Sequence, residues 1–333
     1  MLDFSYTDDQ LDLQQSTRQI LGRHWSKKQL REAWSAEDDE EHLTHLWGTL
    51  AELGMFGLLA PSEQGGLGLQ LLDVVLVLEE LGRACAPLIV ADTMAIAVPL
   101  LVRHAPLREG WLPKIVRGEA AVACAISNYR DVVPDAHFAD LFVVQREGKL
   151  LVLAKGEFMG ERQPSQDKGR AAFSVEISTL EEHAFQGRIG DYDAGIAWAS
   201  VLNGISLHLL EETLEYVKTR HQFGHAIGSF QALQHRLVDV HIAIDSARSA
   251  ALYACYLAGD ASMDATSAAS VLKYHSARAF MLASDSALQF HGAIGFTWEH
   301  DLHYWLKRGL TLCGLQGRSD VHSLALGRVF LDS

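Results

Sequence analysis

The sequence predicts an α+β chain that is mostly α-helical. It divides into a helical N-terminal domain (1–117), a small, truncated middle β-domain (118–187) and a C-terminal four-helix bundle (188–333). Three observations carry that expectation. Apolar residues at helical spacing fill both ends, short apolar segments separated by turn chemistry occupy the middle, and no fixed-period repeat or low-complexity tract interrupts the order. At 333 residues and 48% hydrophobic composition, the chain can bury a large core and divide it among two or three domains.

Leu11, Leu13, Ile20 and Leu21 fall near helical spacing, as do Leu43, Leu46, Leu50 and Leu53. Gly54 and Gly57 bracket a turn, and the run from Pro61 to Gly66 is a loop by its breaker chemistry. From Leu71 to Arg83 the segment is apolar nearly all round, which predicts a buried helix carrying Glu79 and Glu80 near its end and Gly82 as its C-cap. Four short apolar segments follow: Ala121 to Ile126, Leu141 to Val144, Leu150 to Leu153 and Ala171 to Ile177, with Glu147-Gly148 as a turn signal among them. Their lengths suit strands. Helical patterning then returns in four blocks, Arg188 to Arg220, Phe230 to Leu257, Ser262 to Phe290 and Asp301 to Leu312, split by glycine-containing turns at 224–228 and 292–295.

A formal net charge of -14 argues against a nucleic-acid partner, which needs a basic surface. It leaves room for an anionic small molecule held in a local basic pocket. Cys85, Cys124, Cys255 and Cys313 show no C-x-x-C spacing, so the sequence points to free thiols in a reducing compartment and to no metal site. The N-terminus lacks the charged-then-apolar layout of a signal peptide, and no apolar run approaches the roughly 20 residues of a membrane span. These features predict a soluble, cytoplasmic protein.

Three stretches carry a family resemblance. The first is Glu52-Leu53-Gly54-Met55-Phe56-Gly57-Leu58-Leu59-Ala60-Pro61 with Gly65-Gly66-Leu67-Gly68 and Leu78-Glu79-Glu80-Leu81-Gly82. The second is Arg220-His221-Gln222-Phe223-Gly224, then Ile227-Gly228-Ser229-Phe230-Gln231 and His235-Arg236-Leu237-Val238-Asp239. The third is Gln289-Phe290-His291-Gly292-Ala293-Ile294-Gly295-Phe296. Taken singly, an arginine before Phe-Gly reads as a helix end with a surface charge, and His291 as a satisfied core histidine at a turn. In order and spacing together, the three stretches resemble the acyl-CoA dehydrogenase family over essentially the whole chain.

The resemblance implies that fold, FAD as cofactor, an acyl-CoA substrate and an electron-transfer flavoprotein as acceptor. It also implies that the second and third stretches cross a subunit interface to the FAD of a neighbour. Arg220 would offer its fork of donors to the pyrophosphate. Gln222, Gln231 and Gln289 would supply amides, Phe223 and Phe290 apolar cover, and His291 and Gly292 a turn whose backbone N–H groups approach the cofactor. Ser127, in Ala125-Ile126-Ser127-Asn128, approximates the family's flavin-contacting strand motif.

Two departures matter. The family's catalytic base is a glutamate either just after the helix following the third stretch or near the start of the long helix before the second. By ungapped count those places hold Gln316, followed by Gly317, and Ala194, followed by Gly195 where an arginine is common. Neither Gln316 nor Ala194 can accept a proton near neutral pH. Asp193 is the fallback carboxylate, one residue and about 100° away on a helix. The middle region also lacks a counterpart of the family's Trp-x-Thr segment, and none of the seven tryptophans lies in it. The half of the site a subunit builds for itself is eroded, while the half it lends is intact. That asymmetry points to a subunit of a heteromeric dehydrogenase, an α2β2 pairing with a sister chain. Such pairs occur among bacterial enzymes of steroid side-chain breakdown, which this chain resembles in its short β-domain. Two rivals stand beside it: a self-sufficient homomer using Asp193 or another carboxylate, and a non-catalytic protein that binds a CoA thioester.

Overall fold

A computed structural model describes residues 5–35, 40–103, 105–126, 132–146, 149–156, 160–175, 184–185, 191–259 and 264–331. Helix α1 (Asp8–His24) starts at Thr7, whose side chain and that of Gln10 cap each other's backbone N–H groups. Helices α2 (Lys27–Ser35) and α3 (Glu40–Glu52) follow, and Gly54, in the left-handed region, opens the tight turn Met55–Gly57. Helix α4 (Leu71–Arg83) is buried along almost its whole length, as its composition predicts. The expectation for Gly82 is corrected. It lies inside α4, which ends on Ala84, and a Cβ there would sit 1.9 Å from the Val201 carbonyl oxygen. Gly204 makes the reciprocal approach to the Glu79 carbonyl, so these two glycines let two helix backbones touch.

The two carboxylates that follow each other on α4 are buried and tied in opposite directions. Glu80 accepts from both Arg18 on α1 and Gln14, while Glu79 accepts from Arg248 at 2.8 Å. Burial pushes the Glu79 carboxyl up, and Arg248 opposes that shift. A short helix α5 (Leu88–Ala91), a π-helical stretch Asp92–Ala97 and α6 (Val98–Val102) form one continuous buried run, followed by α7 (Ala105–Val116).

The middle region contains β1 (Val122–Ala125), β2 (Val132–Pro134), β3 (Leu141–Arg146), β4 (Lys149–Ala154), β5 (Gly160–Gln163), β6 (Ala172–Val175) and β7 (Ala184–Phe185). One sheet has the order β1-β3-β4-β7 with β1 and β3 parallel; the other has β2-β6-β5 and is antiparallel. The four predicted segments correspond to β1, β3, β4 and β6. Strands β2, β5 and β7 were not foreseen, being too short or too polar to show a pattern; β5 is Gly-Glu-Arg-Gln. The turn signal Glu147-Gly148 lies outside the described residues.

Two buried arginines fasten this small domain to the helices. Arg170 donates to Asp92 at 3.0 Å, and the same carboxylate accepts from the Cys124 backbone and, at 2.8 Å, from the Trp198 indole. Arg308 pairs with Asp167 at 2.5 Å and donates to the carbonyls of Ala86 and Gly169. Each guanidinium therefore finds its partners within the core, the condition under which a buried charge is tolerated.

The C-terminal region is built on α8 (Asp191–Thr219), α9 (Gln231–Gly259), α10 (Ala265–His291) and α11 (Leu302–Gly314), the four expected helices, with a two-stranded hairpin β8 (His221–Gln222) and β9 (His225–Ala226) between α8 and α9. A further helix, α12 (Ser319–Leu331), packs on α10. Of the four cysteines, none in a disulfide, three are buried and Cys313 is half-buried. Among the described residues no helix is long and apolar enough to cross a membrane.

Candidate active site

The turn between α11 and α12 brings Gln316, one expected base position, against Gly195, the residue that follows the other. Gln316 and Gly317 both adopt positive φ, 59° and 101°, and reverse the chain after Leu315. The amide oxygen of Gln316 then lies 2.9 Å from where a Cβ on Gly195 would stand, with the Ala269 methyl 3.6 Å from that same point. Ala194, on the first turn of α8, is fully buried beside them. Positions some 120 residues apart in sequence thus share one locus, and it offers an amide and two small residues where a proton acceptor would be needed. Beneath the turn, Lys273 is fully buried and donates to the Leu312 carbonyl at 2.5 Å, anchoring the end of α11. Burial pushes the Lys273 ammonium down to about 8, opposed by the neighbouring Cys313. The His322 imidazole, on α12, is lowered by burial and then by Lys273.

Asp193 does not join this locus. Its carboxylate is buried and paired with Arg103, the residue that caps α6, and Arg103 also donates to the Tyr192 hydroxyl at 3.4 Å. Two residues from Gly195, Asp193 sits about 200° round the helix.

The other end of α8 is exposed. Arg220 follows the helix, and no carboxylate among the described residues pairs with its guanidinium, in a chain where acids outnumber bases 42 to 28. Phe223 and Gly224 form the hairpin tip, both at positive φ, and Phe223 is 89% exposed. Gln222 is exposed on the hairpin, Gln231 opens α9, and Gln289 faces solvent near the end of α10. Phe290 is half-buried. His291 is 4% exposed; its Nδ1 lies 2.8 Å from the Ala287 carbonyl and its ring stacks on Tyr216 at 4.2 Å. His291 is joined to α8 through Tyr216, and its imidazole is lowered by burial. Tyr216 was not singled out from the sequence, where a tyrosine one turn before a helix end carries no signal. Gly292 (φ 64°, ψ −140°) holds a conformation that glycine alone adopts readily. Ser127 lies outside the described residues. A cation unpaired among the described residues, neutral amides and a glycine turn are donor types that suit phosphate oxygens.

The family descriptions "Acyl-CoA dehydrogenase, N-terminal domain" and "Acyl-CoA dehydrogenase, C-terminal domain" match residues 7–119 and 195–331. The chain is a member of the acyl-CoA dehydrogenase family. Acyl-CoA dehydrogenase IpdE2 of Mycobacterium tuberculosis is 31% identical over 297 residues, 89% of each chain. Among solved structures, the ChsE4–ChsE5 complex from Mycobacterium tuberculosis superposes with a TM-score of 0.89 at 20% identity over 100% of both chains. A variant of the Tcur3481–Tcur3483 steroid acyl-CoA dehydrogenase superposes with a TM-score of 0.86 at 25% identity over 98% of both. Acyl-CoA dehydrogenases are flavoprotein oxidoreductases that bind FAD.

Proposed function

We propose that this chain is one subunit of a heteromeric FAD-dependent acyl-CoA dehydrogenase. The assembly introduces a double bond between the α and β carbons of an acyl-CoA thioester, and this subunit completes the FAD site of a sister chain without supplying a base. The observation that carries the reading is the packing of Gln316 on Gly195. Gln316 and Ala194, which precedes Gly195, are the two places from which a base could come, and neither holds a group able to take the α-proton.

Arg220 stands 25 residues along from Gly195, roughly 37 Å on a straight helix, so one extended cofactor does not span from it to the Gln316 locus. It serves a site elsewhere. Bound FAD would accept the hydride from the β carbon. Arg220 would bind its pyrophosphate through paired N–H donors, Gln231 and Gln289 would orient it through their amides, and Phe223 would shield it from water. The residues that withdraw the α-proton belong to the sister chain, and an electron-transfer flavoprotein would take the electrons onward. Exposed apolar side chains near these donors suit a protein partner: Val238 and Ile242 on α9, Met281 on α10, Ile294 and Phe296 beyond it. The name of the Tcur3481–Tcur3483 enzyme, which joins two chains, supports the pairing.

The test is FAD per chain, from flavin absorbance against protein mass, for the chain alone and co-expressed with its sister. No flavin alone and one FAD per unlike pair is the expected result. Full flavin occupancy with turnover in the lone chain would overturn the reading, and Asp193→Asn in that protein would then identify or dismiss Asp193 as the base.

A further inference from the structure

A cleft of about 250 Å³ opens where α1, α2, the end of α4, the middle of α8 and α11 meet. One wall is flat: the His208 and Trp305 rings stack at 3.8 Å, 14° from parallel. Leu21 and Leu30 add apolar surface. Among the described residues, two buried ring nitrogens of the lining, Trp25 Nε1 and His208 Nε2, have no hydrogen-bond partner; the Glu212 carboxylate stands 3.8 Å from His208 Nε2. An indole N–H can only donate, and leaving such a group buried and unmatched is unfavourable. The lining charges are Arg18, Lys27 and Arg83 with the carboxylate of Glu80, which pairs with both Arg18 and Arg83. At the mouth, Lys27 also pairs with Glu212 and Arg83 with Glu211, which holds the cations in place around the opening.

We propose that this cleft binds a small planar monocarboxylate, a flat apolar ring bearing one carboxylate, of the aromatic-acid class. The ring lies against the apolar wall, and the carboxylate accepts from the two unmatched ring nitrogens under the field of Arg83 and Lys27. The volume accommodates one ring with its carboxylate and excludes a CoA thioester. The cleft is separate from both ends of α8. His208 is 13 residues from Gly195 and 12 from Arg220, roughly 20 Å and 18 Å along the helix. The inference is independent of the subunit reading, because its readout needs neither flavin nor turnover.

Gly22 provides the test. It lines the cleft, and a Cβ on it meets nothing within 4 Å, so Gly22→Leu fills the space while favouring helix α1. The full-length protein is titrated with benzoate and with its neutral isostere benzamide, followed by tryptophan fluorescence and by the His208 imidazole signals in NMR. Saturable benzoate binding that moves the His208 signals is expected, with at least tenfold weaker binding of benzamide and at least tenfold weaker benzoate binding by Gly22→Leu at a melting temperature no lower than that of the parent protein. No saturable binding, or equal benzoate binding by Gly22→Leu, would overturn the site. Equal affinity for benzamide would overturn its assignment to an anion.

Discussion

Gly195 and Arg220 belong to one helix, and their surroundings differ in kind. Around Gly195 everything is filled: Ala194 is fully buried, the Gln316 amide closes over the missing Cβ, and Asp193 is locked to Arg103. Around Arg220 the guanidinium is unpaired among the described residues and Phe223 projects into solvent, and Gln289 on α10 is also exposed. The closed end has been filled with residues that do no acid–base chemistry. In the subunit reading proposed above, exposure at one end goes with a group that is lent and close packing at the other with a site that has been given up.

Breaking the open end should have the largest effect. Arg220→Met in the assembled pair removes charge-assisted hydrogen bonds worth roughly 2–3 kcal/mol, so FAD affinity should fall about 30- to 150-fold with melting temperature unchanged. Retained flavin affinity, read by fluorescence titration, would place the cofactor elsewhere.

The middle of the helix supplies a control with a pH signature. Burial first, then Lys27 and Arg83, pushes the His208 imidazole down to about 3 from its usual 6.5, and Glu212 lies 3.8 Å from its Nε2. Between those two pH values the unfolded chain binds a proton that the folded chain refuses, so stability falls as pH drops through that window, by about 1.4 kcal/mol per pH unit for one group. His208→Phe keeps a ring on Trp305 and should flatten the pH dependence of urea unfolding by about one proton, without altering FAD binding. An unchanged slope would mean that His208 titrates normally.

The closed end should respond least. In Gly195→Ala the new methyl would meet the Gln316 amide oxygen, the far end of a flexible side chain that can turn aside, and alanine favours the helix. Stability should shift by less than about 1 kcal/mol, and turnover of the assembled pair should stay within twofold. A tenfold loss of turnover would show that the Gln316 locus takes part in catalysis after all.

Much of this was legible in the chain. Helical periodicity located α4 and α8 to α11, since those faces are buried in register with 3.6-residue spacing. The glutamine at the expected base position was visible because residue type alone decides whether a proton can be accepted. Gly82 was misread as a cap because a glycine near a helix end and one where two helices touch look alike until the second helix, with Gly204, is in place. The short polar strand β5 gave no alternation to read, and helix α12 was not resolved from the tail.

The sequence by itself therefore determined which chemistry each position can perform: an amide at 316, a methyl at 194, a permanent cation at 220. Only the tertiary structure decided which of these positions meet. Gln316 reaches Gly195 because two left-handed residues turn the chain back after α11, Tyr216 holds the end of α10 against α8, and Asp92 gathers Arg170, Cys124 and Trp198 from distant segments. Such contacts are set by side-chain packing between elements far apart along the chain, and neither local spacing nor propensity records them.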